Sequence, residues 1–186
     1  MNLTVIEPPE EEPVSIETVK QHLRVDIAAD DALIGTYLQA ARELGEGLAR
    51  RAFVTQTLRL VVDAFPVNRV LKLPRPPLQS VESVTYLDSN GIEHEWTDFV
   101  TDARSEPGRV IFNSTPSVSL FESGAVAIEF VVGYGADSDV PQTFVQGILM
   151  TVAHWYENRE SALPVNLNEI PMNAKLMFMT DRGSWF

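Results

Sequence analysis

Between Thr55 and Tyr134 apolar residues recur at every second position, and on both sides of that stretch they recur every third or fourth. A period of two sets alternate side chains on opposite faces of a strand, whereas three-and-four spacing gathers them on one face of a helix. Neither stretch can take the other's structure and still bury its apolar residues. The change of period and its return therefore predict an α+β fold, a helical bundle of about three to four helices carrying an inserted antiparallel β domain.

The boundaries follow from this pattern. Residues 1–14 read as an extended acidic arm, because Glu7-Pro8-Pro9-Glu10-Glu11-Glu12-Pro13 cannot build a regular element. Residues 15–54 and 135–160 form the helical core, 55–134 the β insertion, and 161–186 a C-terminal segment. Ser15 can cap a helix carrying Ile16, Val19 and Leu23 on one face. Asp30 can cap a longer one, from Asp31 to about Ala52, with Leu33, Tyr37, Ala41, Leu44 and Leu48 as its apolar stripe. Gly45 and Gly47 either permit a close helix approach or mark a soft end, and Arg50 and Arg51 suit the last turn.

In the β stretch, Val84–Leu87 and Ile92–Trp96 flank Asp88-Ser89-Asn90-Gly91, where Asn-Gly supplies the positive φ angles of a tight hairpin. With runs around Leu58–Val62, Val70–Leu73, Phe99–Thr101, Arg109–Phe112 and Ala125–Tyr134, about six to seven antiparallel strands are expected. Pro141 opens a helix reaching about Arg159, with Phe144, Ile148, Thr151 and Trp155 on one stripe and Val145, Leu149, Val152 and Tyr156 beside it. It closes in His154-Trp155-Tyr156-Glu157-Asn158-Arg159-Glu160, which reads either as a core anchor or as one face of a subunit contact. A short amphipathic piece follows at Asn173–Thr180, with Leu176, Met177 and Met179. Trp185 and Phe186 are expected to dock on something, since exposed rings are costly in water.

Composition narrows the function. Of 186 residues 45% are hydrophobic and 22% charged, a globular balance. Cysteine is absent, which excludes disulfides, cysteine nucleophiles and thiolate metal sites. No secretory signal and no run long enough for a membrane span is expected. The net charge of −12 argues against binding nucleic acid through phosphate contacts.

The chemical motifs are weak. His22, His94 and His154 lie in three different elements without metal-pair spacing. Glu93-His94-Glu95 puts its glutamates on the strand face opposite the histidine. Gly133-Tyr134-Gly135 lacks the serine of a nucleophile elbow and the third glycine of a dinucleotide loop. Asp137-Ser138-Asp139 lacks the glycine and glutamate of a calcium loop. Pro74-Arg75-Pro76-Pro77 matches a polyproline ligand but equally a rigid connector. No catalytic residue, cofactor-binding residue or metal ligand is assigned, and no enzyme activity is expected.

Two stretches are more specific. Leu73–Asp88 with Asn90-Gly91, and Gly133-Tyr134-Gly135 followed by Val140-Pro141 and Ala153–Glu160, resemble tailed-bacteriophage head–tail connector (adaptor) proteins. The short helix, Asp30-Asp31 and the long helix ending near Arg51 fit the same pattern, so the resemblance covers most of residues 15–182. It implies a virion neck protein, present in the host cytoplasm during assembly. It also implies a ring, roughly twelve-fold, between the portal and a stopper or tail protein, with DNA passing through the lumen unbound.

On that resemblance the helical core builds the ring and the C-terminal segment docks on the portal. Tyr156, Glu157, Arg159 and Glu160 become candidate subunit contacts, and Leu176, Met177, Phe178, Trp185 and Phe186 candidate portal contacts. An acidic lumen would let DNA slide. The alternatives are another neck or tail protein, such as a stopper or tail terminator, and a small hydrolase with a shallow acidic site.

Overall fold

A computed structural model describes residues 1–158 and 171–183. The described chain divides into two compact units, one of Met1–Glu10 with Thr55–Gly133, the other of Glu11–Val54 with the described residues from Tyr134 onward. All elements are helices or antiparallel strands, so the expected α+β class is what the chain forms.

In the helical unit, α1 (Ile16–Leu23), α2 (Asp31–Ala49), α3 (Gln142–Glu157) and α4 (Met172–Met179) enclose one apolar core. The Ser15 hydroxyl accepts from the Thr18 amide and satisfies one of the unpaired donors at the start of α1. Pro141 stands one position earlier than expected, at the cap, where its carbonyl accepts from the Phe144 and Val145 amides. Ile34, Leu38, Phe53, Phe144, Ile148, Val152 and Phe178 are sealed from solvent. Phe53 stacks on Phe144 with ring centroids 4.5 Å apart and lies 6.3 Å from Phe178.

Two expectations for α2 need correction. The helix ends at Ala49 rather than Ala52, and Arg50 follows it in the left-handed conformation. Its buried face is Ile34, Leu38, Ala41, Arg42, Gly45, Glu46 and Ala49, while Leu33, Tyr37, Leu44 and Leu48 lie half-buried on the flank. The most buried face holds an arginine, a glutamate and a glycine, so counting apolar residues rotates the helix by about one position, or ~100°.

The β unit holds two sheets. The larger has the order β1 (Asn2–Glu7), β2 (Gln56–Val62), β8 (Val126–Val132), β4 (Leu78–Leu87) and β5 (Glu93–Glu95). The smaller runs β3 (Val70–Lys72), β7 (Arg109–Phe112) and β6 (Phe99–Asp102). The two-residue period is realised in β8, where Val126, Ile128, Phe130 and Val132 are buried and the residues between them are not. Edge-on rings of Phe65, Tyr86, Trp96 and Phe112 link β4 to β7.

The hairpin joining β4 and β5 is present, with Tyr86 opposite His94. Its turn differs from the expected one: Gly91 alone takes a positive φ, of 79°, and Asn90 does not. Asp88 organises the loop instead, its carboxylate accepting from the Asn90 and Ile92 amides.

The first residues depart most from expectation. Asn2–Glu7 is a strand, paired with β2 from Asn2 opposite Val61 to Glu7 opposite Thr57. The extended-arm reading survives only for the proline-rich residues that follow.

Candidate functional site

The surfaces of the helical unit are the candidate site, since the family resemblance places its expected contacts there. At the tip of α3, Trp155 packs edge-on against Tyr37 with ring centroids 6.1 Å apart. The Tyr156 hydroxyl donates to Asp30 Oδ2 at 2.5 Å, tying the end of α3 to the start of α2. Asp30 was expected to cap α2. It holds the cap position, but its side chain makes no capping bond. Glu157 points to solvent. Of the four candidate subunit contacts, then, Tyr156 is half-buried and engaged within its own unit, Glu157 is exposed, and Arg159 and Glu160 lie outside the described residues.

α4 has two unlike faces. Ala174 and Phe178 point inward and are fully buried. The Phe178 ring occupies a slot between Gly45 of α2 and Gly147 of α3, where an added Cβ would stand 2.6 Å and 2.8 Å from the ring. Both glycines are there because a helix must pass this close to an aromatic ring. The ambiguity over Gly45 and Gly47 thus resolves: Gly45 permits the approach, whereas a Cβ on Gly47 would meet nothing within 4 Å.

Phe178 was a candidate portal contact. It is a core residue and is not available to a partner in this structure. The outer face instead carries Met172 (73% exposed), Leu176 (58%) and Met179 (38%), spaced four and three apart, with Met177 half-buried beside them. That is an apolar stripe facing water. Trp185 and Phe186 lie outside the described residues.

The segment after α4 is fastened to the end of α2. Arg51 Nε donates to the Asp181 carbonyl at 2.6 Å, and its terminal nitrogen to the Asp181 carboxylate at 3.0 Å. The Gly183 amide donates to the Ala49 carbonyl at 3.1 Å, satisfying one of the acceptors left open at a helix end. Arg51 therefore serves this tie rather than the last turn of α2.

The buried charges were missed by the sequence reading. Arg42 donates to Glu12 at 2.8 Å and to Glu46 at 3.4 Å, and Glu46 accepts the Phe53 amide at 2.9 Å. Burial lowers the Arg42 pKa. The Glu12 hydrogen bond and the charges of Glu12, Glu46 and Glu43 outweigh it, so the guanidinium sits above its usual value. The signal was available as Arg42 and Glu46 one helical turn apart, but such pairs are more often on the surface.

The remaining polar features hold turns together. In the β unit the Ser105 hydroxyl, followed by the Arg109 guanidinium, holds the Asp102 carboxyl down at about 2. His94 stacks on Tyr86 with centroids 5.2 Å apart and contacts Asp88 at 3.2 Å. Glu93 reaches Arg59 at 3.7 Å. Pro74 and Pro76 are buried, which removes them as a polyproline ligand. Among the described residues no three His, Cys, Asp or Glu side chains stand together as a metal set, and no helix is long and apolar enough to cross a membrane.

Comparison with known proteins agrees with the motif-level resemblance. Residues 13–98 match the family model of phage gp6-like head-tail connector proteins. No curated protein matches the sequence. Among solved structures, a chain from the virion of a native gene transfer agent (GTA) particle superposes with a TM-score of 0.81 at 22% identity, covering 100% of this chain and 97% of that one. A chain from the neck of an empty GTA particle, computed with C6 symmetry, gives 0.76 at 23% identity, covering 96% and 95%. One from the neck of a native particle, computed with C12 symmetry, gives 0.74 at 21%, covering 96% and 95%. The chain is thus similar over its whole length to proteins of a phage-like particle, with the same fold.

Proposed function

We propose that this chain is a structural head–tail connector of a phage or phage-like particle, a ring subunit of the neck through which DNA passes. The observation that carries the reading is the head-tail connector match over residues 13–98, which runs from the start of the helical unit well into the β unit. The whole-chain likeness to neck proteins of a GTA particle supports it.

Within this reading the partners are the portal on one side and a stopper or tail protein on the other. The outer stripe of α4, Met172, Leu176 and Met179 with Met177, is the portal-docking face, and Trp185 and Phe186 are further candidate contacts. Apolar side chains held on a rigid helix lose little further freedom when covered, which favours docking. Tyr156, Glu157, Arg159 and Glu160 border the neighbouring subunit in a ring of roughly twelve, each interface joining unlike flanks. The net charge of −12 supports an acidic lumen, whose surface would repel the phosphate backbone and let DNA slide.

Three-dimensional reconstruction of particle necks tests the assignment. Density for this chain in a ring below the portal is the expected result, and removal of its gene should leave filled heads without tails. A neck with no density for this chain, or normal tailed particles without the gene, would refute it.

A further inference from the structure

The first strand is attached to the sheet in an unusual way. β1 pairs with β2 along its length, yet its side chains are almost uncovered: Leu3 is half-buried, while Val5 (55%) and Ile6 (46%) stay exposed. A strand is normally held both by its ladder and by side chains packed on the core. Here little beyond the ladder contributes, namely a Thr57 hydroxyl bond to Glu7 at 2.9 Å and a long Thr4 hydroxyl bond to the Arg59 carbonyl at 3.4 Å.

The chain then leaves the sheet. Its register slips between Val5 and Glu7, and it runs through Pro8, Pro9 and Pro13 with no regular element. At the far side, Glu12 is clamped on Arg42 of α2 at 2.8 Å. The root of the strand is therefore fixed to the helical unit, and its tip is held chiefly by backbone bonds. Prolines keep such a spacer extended and disfavour a sharp reversal. The residues between Glu7 and Val14 can span up to about 20 Å.

We infer that β1 is an exchanged strand: in the ring, Asn2–Glu7 of one copy completes the sheet of the next by pairing with that copy's β2. This rests on the ring reading above. The ladder bonds made with a neighbour's β2 are the same as those made with its own, so exchange sacrifices no hydrogen bond. It links adjacent subunits through backbone contacts that the single chain makes within itself. The occupant of the β2 edge is thus a second copy of this chain, identified by the one segment already seen to fit that edge in register.

The absence of cysteine makes the test direct. Asn2→Cys combined with Val61→Cys places a thiol pair across the ladder, and Thr4→Cys with Arg59→Cys repeats it nearby should the first pair hinder assembly. Rings or particles are assembled under reducing conditions, checked by electron microscopy, oxidised, and run on a denaturing gel without reductant. Exchange predicts a ladder of covalent multimers that collapses to monomer when reductant is added. Rings whose chains stay monomeric on the gel, whether internally bonded or unbonded, overturn the exchange and leave the ring reading intact. Failure of the unmodified chain to enter any ring or neck refutes both.

Discussion

The slot that receives Phe178 makes opposite predictions for two glycines on the same helix. Replacing a helical glycine by alanine gains about 1 kcal/mol where the methyl meets nothing, because the backbone loses less freedom on folding. At Gly47 a Cβ meets nothing within 4 Å, so Gly47→Ala should stabilise the helical unit by up to that amount. At Gly45 the same methyl would stand 2.6 Å from Phe178 Cε1 and 2.9 Å from Phe53 Cε2. Carbon atoms prefer about 3.5–4.0 Å, so the rings must retreat by roughly 1 Å. Phe53 cannot do so freely, being stacked on Phe144 at 4.5 Å, and all three rings are buried.

Overpacking of this kind costs about 1–3 kcal/mol, enough to cancel or exceed the propensity gain. Because the propensity effect is common to both sites, the difference between Gly45→Ala and Gly47→Ala isolates the clash, at about 1–3 kcal/mol. Urea unfolding followed by helical circular dichroism measures it. A midpoint for Gly45→Ala as high as for Gly47→Ala would refute the slot. The double variant Gly45→Ala with Phe178→Leu should recover part of the loss, since smaller contacts at one site relieve the other.

Three further outcomes are expected. Glu46→Gln should destabilise the helical unit by about 1–3 kcal/mol in the same assay, because buried Arg42 keeps Glu12 but loses the charge of Glu46. Asp102 has a depressed folded pKa of about 2, so its contribution is present above the unfolded carboxylate value near ~3.9 and is lost as pH falls through the folded one. The stability gap between wild type and Asp102→Asn should therefore be constant above about pH 5 and close between roughly pH 4 and 2 in β-unit unfolding. Leu176→Glu should leave the melting temperature within about 2 °C of wild type, as expected of an exposed site, yet abolish co-sedimentation with portal-bearing heads.

What the sequence reveals here depends on whether burial and hydropathy coincide. β8 and α3 were legible because their buried positions are apolar and periodic, and Ser15 because a cap has a local signature. α2 was read one position off because its deepest face contains Arg42, Glu46 and Gly45. β1 was overlooked because an edge strand exposed on both faces has no alternation to detect, and the prolines after it suggested an arm. Phe178 is a candidate docking residue in the sequence because the family resemblance assigns the whole C-terminal segment to the portal. Only the fold shows that nearby positions on α4 differ, Phe178 entering a glycine-lined slot, Met177 half-buried and Leu176 in water.

The chain leaves the helical unit after Val54 and resumes it at Tyr134, and the Tyr134 amide donates to the Phe53 carbonyl at 2.9 Å. The excursion thus departs and returns through one doorway closed by a backbone hydrogen bond. The entropy of closing a loop grows only logarithmically, about 0.6 kcal/mol for each doubling of length. Seen from the helices, a change in the length of the β unit therefore costs little. The helical frame can keep the same doorway while the β unit is lengthened, shortened or redecorated.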